Sequence, residues 1–195
     1  MSVDAGSVKT LREKTGAGIL DCKSALEKTG GDLGKAAEIL RGKGHRIAEK
    51  KGTRATNEGR IGSYIHFNGK IGVMVEVNCE TDFVAKNELV EQLLKDLCMQ
   101  VAATNPLAVS KEDLPAEVVE TKEGEFKRAA EGKPAGIVEK IVQGKLNAFY
   151  REQCLMEQPF IKDDTQTMGD VVTACIAKLG ENVRIRRFTR FEVGR

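Results

Sequence analysis

The dipeptide Asn68-Gly69 sits between two runs of alternating side chains. On one side Ile61, Ser63, Ile65 and Phe67 interleave with Gly62, Tyr64 and His66; on the other Ile71, Val73, Val75 and Val77 interleave with Gly72, Met74, Glu76 and Asn78. Period-two alternation is the mark of a strand with two unlike faces. Asn-Gly supplies the positive φ angles of a two-residue type I′ turn. An antiparallel hairpin is expected here, and the other elements must pack around it.

Before the hairpin the spacing is helical. Ser7 is placed to cap a first helix with Val8 and Leu11 inside, and the glycines at 16 and 18 break it. Ile19, Leu20, Cys22, Ala25 and Leu26 follow at helical spacing until Gly30-Gly31. Asp32 caps a third helix bearing Leu33, Ala36, Ala37, Ile39 and Leu40. Three short helices over residues 5–45 bury too little surface to be very stable alone, which suits a docking module better than a catalytic domain.

After the hairpin, Asn87 can cap a long helix reaching about Thr104, with Leu89, Leu93, Leu97 and Val101 each four apart. Asn105-Pro106 ends it. Helical patterns recur from Pro115 to Gly132, from Pro134 through Phe149, and from Thr167 to Gly180. The chain reads as extended at Gln158–Ile161, and Val183–Val193 alternates as a last strand with Arg184, Arg186 and Arg190 on its polar side. The expected fold class is α+β with antiparallel strands. It divides into a helical module at 1–45, a basic linker at 46–60 and an α+β core at 61–195.

Composition narrows the function. A net charge of +2 with no tryptophan argues against nucleic acid as a direct partner. No apolar run approaches the roughly 20 residues that span a bilayer, and the first residues lack the apolar segment of a secretory signal, so a cytoplasmic setting is expected. Five widely spaced cysteines, an odd number without a Cys-x-x-Cys pair, suggest neither a disulfide framework nor a structural zinc site. Arg41, Lys43, Arg46, Lys50, Lys51, Arg54 and Arg60 face only Glu49 and Glu58. That stretch is either a patch for an acidic partner or a solvated tether.

Catalytic constellations are scarce. Gly16 and Gly18 lack the preceding strand of a nucleotide-binding loop. His66, Cys79 and Asp82 can be drawn together as a triad, but nothing in their spacing demands it. Thr81-Asp82-Phe83-Val84 is the more informative segment, a carboxylate beside a large aromatic between a strand and a helix. Either Phe83 packs beneath the sheet, or it protrudes to fill a partner's pocket while Asp82 sets the polar register.

Three segments carry a family resemblance. Residues 11–26, Leu-Arg-Glu-Lys-Thr-Gly-Ala-Gly-Ile-Leu-Asp-Cys-Lys-Ser-Ala-Leu, resemble the N-terminal signature of the elongation factor Ts family. Residues 72–85, which include Glu80-Thr81-Asp82-Phe83-Val84, resemble its second signature, and Gln158-Pro159-Phe160 with residues 190–194 look like its C-terminal pieces. The length resembles the compact form of the family, with a single core repeat.

The resemblance implies a non-enzymatic guanine nucleotide exchange factor that binds the GTPase elongation factor Tu, without cofactor or metal. It implies a ubiquitin-associated (UBA)-like N-terminal module docking through Lys9, Arg12, Ile19, Leu20 and Lys23; Ile19 and Leu20 stand where relatives often carry two methionines. The turn at Thr81, Asp82, Phe83 and Val84 is implied to lie against the magnesium and phosphate site of the GTPase, with Phe83 as a wedge. His66 and Lys51 match positions that resemble partner contacts, and Phe160 and Ile161 match a contact to a more distal domain. A homodimer is implied for the compact form, here without a disulfide in the last strand, where Thr189 stands.

Overall fold

A computed structural model of the chain describes residues 3–194. Met1, Ser2 and Arg195, at the outer ends of the first and last expected segments, lie outside the described residues. The element order is α1 (Ala5–Thr15), α2 (Ile19–Lys28), α3 (Leu33–Lys51), β1 (Glu58–Ile65), β2 (Ile71–Cys79), α4 (Asp82–Ala85), α5 (Glu88–Thr104), α6 (Ala116–Arg128), α7 (Ala135–Gln153), β3 (Pro159–Phe160), β4 (Asp163–Thr167), α8 (Met168–Leu179) and β5 (Val183–Glu192). One sheet has the order β1-β2-β5, and β3 pairs with β4 in a separate antiparallel ribbon. The α+β class is as expected. Among the described residues no helix is long and apolar enough to cross a membrane.

The hairpin forms, but not through the expected turn. His66 N–H donates to Ile71 O at 2.8 Å and Gly69 N–H to His66 O at 2.8 Å, so four residues, not two, separate the closing pair. Only Gly69 takes a positive φ, 67°, while Asn68 spends its side chain accepting the Lys70 N–H. Four-residue loops are commonly built on an ordinary β-turn, and Asn-Gly suits its end as well as a tight I′ turn.

The chain forms two compact units, each assembled from separate stretches. The first comprises Met1–Gly62, Glu76–Leu94 and Asp170–Ile185. Leu11, Cys22, Ala25, Leu26, Ala36 and Leu40 close a small core among α1, α2 and α3. The cap of α1 is Asp4, which accepts the Ser7 N–H at 3.1 Å, and not Ser7 itself; the Asp4 carboxylate satisfies a free amide of the first turn, so the helix starts a turn early. Asp32 caps α3 as expected, accepting from Lys35. Helix α3 continues through the first part of the basic stretch to Lys51. Gly44 is buried there because α3 lies close on α8: a Cβ at 44 would sit 3.6 Å from Thr173 and 3.7 Å from Ala177. His45 adds a 3.1 Å contact to Asp170. Gly62 of β1 likewise admits Leu94 of α5, whose side chain a Cβ would meet at 2.9 Å.

The second unit comprises Ser63–Val75, Lys95–Gly169 and Arg186–Arg195. Its buried polar centre is Gln100 of α5, which donates to Gln158 Oε1 and Pro159 O at 3.1 Å each and accepts from Ile161 N–H at 2.9 Å. A buried amide is tolerable only when satisfied in this way. The bonds fix the β3–β4 ribbon, and Lys162 adds a 2.7 Å ion pair to Asp96. Ala108, Leu114 and Cys154 form a further cluster beside Phe149 and Tyr150.

Candidate functional site

Strand β2 buries Val77 and Cys79 and then ends, so the chain must turn before α5. Thr81 is extended, with φ −130° and ψ 155°, and caps α4 by accepting the Val84 N–H at 3.3 Å. Ala85 packs inward, which turns Phe83 outward: its side chain is 82% exposed. The packed alternative for Phe83 is therefore not what forms. Asp82 is also exposed and pairs with Lys86 one turn on at 2.9 Å. That bond holds the Asp82 carboxyl below its ordinary range, and the charge of the turn stays fixed near neutral pH.

The turn is anchored by residues that local spacing does not reveal. Thr81 donates twice to Glu181, through N–H at 3.1 Å and through its hydroxyl at 2.9 Å. In the reverse direction Asn182 N–H donates to Glu80 Oε1 at 2.7 Å. Glu80 also receives Arg54 at 3.2 Å, and Asn182 donates to the carbonyls of Arg54 at 2.9 Å and Gly52 at 3.4 Å. The Asn182 N–H, then Arg54, hold the Glu80 carboxyl below its usual value. Lys51 completes the knot by donating to Gly180 O, the exposed end of α8, at 2.6 Å. Its ammonium is thereby used inside the protein, as a helix C-terminus favours. The knot joins residues 51–54, 80–81 and 180–182 of the first unit; the only signal for it in the sequence is polar Glu-Asn directly after the helix-ending Gly180.

In the N-terminal helices Lys9, Arg12 and Lys23 are exposed, Lys23 lying 3.9 Å from Glu27. Ile19 is 57% and Leu20 82% exposed at the start of α2, while Cys22, Ala25 and Leu26 on the same helix are buried. Between α2 and α3 a cleft of about 400 Å³ is lined by Lys28, Lys43, Arg46 and Lys50, with Asp21 paired to Lys43. Part of the basic stretch is thus a helix face, not a tether.

The second unit holds the remaining expected residues. His66 is half-buried, its Nδ1 2.9 Å from the Tyr64 hydroxyl and its ring 4.4 Å from that of Phe67. Ile161 is exposed, but Phe160 is only 8% exposed and belongs to the core.

The cysteines are poorly placed for nucleophilic chemistry. All five cysteines are buried and free. Cys79 Sγ donates to Thr81 O at 3.1 Å, and burial pushes its thiol above the ordinary value, away from the reactive thiolate. Burial lifts Cys98, Cys154 and Cys175 to about 11 each. Among the described residues no group of three His, Cys, Asp or Glu side chains could hold a metal ion.

An exposed aromatic on an anchored turn and an exposed apolar tip on a small helical core are features of a binding protein. Residues 35–195 match the protein family described as Elongation factor TS. Over its full length the chain is similar to proteins named elongation factor Ts. That of Thermotoga petrophila is 53% identical over 194 residues, spanning 100% of this chain and 98% of the relative. Those of Thermodesulfovibrio yellowstonii, 53% identical over 195 residues (100% and 98% covered), and Oleidesulfovibrio alaskensis, 54% over 195 residues (99% and 98%), are comparable. With both ends of the chain and the Phe83 turn inside these alignments, the chain belongs to the elongation factor Ts family.

Proposed function

We propose that the protein is a guanine nucleotide exchange factor for elongation factor Tu in protein synthesis, acting in the cytoplasm and without covalent chemistry. The observation that carries this reading is Phe83, almost fully exposed on a turn that the surrounding hydrogen bonds hold in place. Leaving a phenylalanine in water forgoes roughly 1.5–3 kcal/mol of burial. A rigid turn that presents one suits insertion into a partner more than internal packing.

In this mechanism the N-terminal module docks through Ile19 and Leu20, ringed by Lys9, Arg12 and Lys23. Phe83 then wedges into the GTPase near its Mg²⁺ and phosphate site, with Asp82, Thr81 and Val84 around it. The factor binds the nucleotide-free GTPase better than the GDP form, so by linkage it weakens GDP binding by the factor that GDP weakens its own. GTP then rebinds. Lys51 serves by holding the end of α8, His66 is a further contact, and Ile161 is the surface residue of the C-terminal one.

A homodimer belongs to the same reading. Arg190 reaches α5 at Ala102 O, so the alternating Phe191 and Val193 face away from that helix and are exposed. Ile65 and Phe67 are exposed too, the latter at 91%, and Ile65 lies over Gly72. A second copy is the occupant proposed for this apolar strand surface, held without a disulfide because every cysteine is buried.

The test is release of a fluorescent GDP from elongation factor Tu on mixing with the protein. Accelerated release is expected. Nucleotide left undisturbed by a large excess of the protein would end this reading.

A further inference from the structure

The turn that presents Phe83 is too short to hold itself. Helix α4 has four residues, and one helical turn is unfavourable alone because it fixes several dihedrals for a single hydrogen bond. Its orientation is set at Thr81. The Thr81 hydroxyl accepts from Val84 N–H at 3.3 Å and donates to Glu181 Oε1 at 2.9 Å, while Thr81 N–H takes the other carboxylate oxygen, Oε2, at 3.1 Å. Two donors on one residue meet two acceptors on one side chain, and bonds to an ionised acceptor are the strong kind. Glu181 is held in turn, because the next N–H, that of Asn182, is bound by Glu80, the residue before Thr81. Each loop thus offers a carboxylate to the backbone of the other.

We propose that Glu181 is a positioning residue of the exchange site: its carboxylate sets the direction in which Phe83 is presented, and the speed of GDP release depends on that setting. This rests on the exchange reading. Glu181 acts through Thr81 and does not need to touch the GTPase. Misplacing a working group by about 1 Å can lower a rate by as much as a hundredfold, whereas docking through Ile19 and Leu20 does not pass through residue 181.

The experiment compares the full-length protein with Glu181→Ala and Glu181→Gln, using two measurements. The first is amide hydrogen exchange over residues 80–86 in the free protein. The second is the rate of fluorescent GDP release from elongation factor Tu over a series of factor concentrations, giving a maximal rate and a half-saturating concentration. Glu181→Ala is expected to speed exchange of the Thr81 and Val84 amides about tenfold. It should lower the maximal release rate about tenfold and move the half-saturating concentration less than about twofold. Glu181→Gln, which keeps one carbonyl acceptor for the Thr81 N–H, should fall between it and wild type.

An unchanged maximal rate overturns the proposal. So does a lower rate with unaltered amide protection, or a rise in half-saturating concentration alone. Should Glu181→Ala fail to fold, Glu181→Gln decides by the same two measurements. A wild-type protein that does not speed release removes the exchange reading and the positioning role together; a fully active wild type with indifferent variants removes the role of Glu181 alone.

Discussion

Leu20 and Phe83 are equally exposed, at 82% each, yet the backbone beneath them is held by different means. Leu20 stands at the start of α2, whose cap, Gly18, makes no side-chain hydrogen bond. The tip is backed by the small core behind it, through Cys22, Ala25 and Leu26, and by the solvent-exposed Asp21–Lys43 pair beside it. Phe83 stands on a turn tied by Glu181, which is itself locked to Glu80, Asn182 and Arg54. An apolar tip on a helix start can adapt to a surface and contribute affinity. An apolar tip on a bonded turn resists displacement, so it can displace something else. The docking and wedging proposed for these two tips would call for the two different kinds of support seen beneath them.

Truncating Phe83, the proposed wedge, should give the largest effect. Phe83→Ala is expected to lower the maximal rate of GDP release by about a hundredfold, as loss of a buried aromatic anchor does. Its fold should hold, with stability changed by less than about 0.5 kcal/mol because the ring touches little in the free protein. A variant that unfolds, or one that keeps its rate per folded molecule, would make Phe83 a packing residue and erase the contrast.

Ile19 and Leu20, the proposed docking tip, should respond in the other kinetic constant. Replacing Ile19 and Leu20 together by alanine is expected to raise the half-saturating concentration about tenfold and leave the maximal rate near that of wild type. Deleting residues 1–45 would be a poorer test, since it cuts α3 (Leu33–Lys51) in mid-helix. A fall in maximal rate with unchanged half-saturation would mean that the two tips do the same job.

The contrast between the tips was only half legible in the sequence. Helix positions, the hairpin and the caps at Asp32 and Asn87 follow from local rules, and local rules act over a few residues. The exposed Phe83 did not follow, because a phenylalanine in a turn is more often buried. Glu181 and Glu80 were beyond reach, since partners 100 or more residues apart meet only once β5 is laid beside β2. The burial of Phe160 was equally out of reach: a family contact position says nothing of the Gln100 bonds that draw its strand into the core.

Acid should separate the two supports. The Glu80 carboxyl is held below the ordinary carboxylate value in the folded protein, chiefly because Asn182 N–H and then Arg54 favour its charged form. A depressed folded value means that the stabilisation is complete above the unfolded pKa and is lost as pH falls through the folded one. Thermal stability of the wild type should therefore decline below about pH 4.5, and Glu80→Gln should flatten that limb while lowering stability at pH 7. Amide protection near Thr81 should be lost over the same window, and protection around Cys22 should not. Equal acid sensitivity at both places would place the knot's ionic bonds outside the support of the turn.

Helix α3 offers the smallest and most selective change, because it belongs to both supports: Ala36 and Leu40 pack in the N-terminal core, and Lys51 reaches the knot. Gly44 lies within it, costing helix stability relative to alanine. The space for a methyl group exists, since a Cβ would find Thr173 at 3.6 Å and Ala177 at 3.7 Å, ordinary contact distances. Gly44→Ala should therefore stabilise the protein by about 0.5–1 kcal/mol in urea unfolding, partly by restricting the unfolded chain. Both kinetic constants should stay as they are, because neither tip moves. If the stiffer helix instead lowered the maximal rate, α3 would have to flex during exchange, and the fixed backbone beneath Phe83 would no longer account for the wedge.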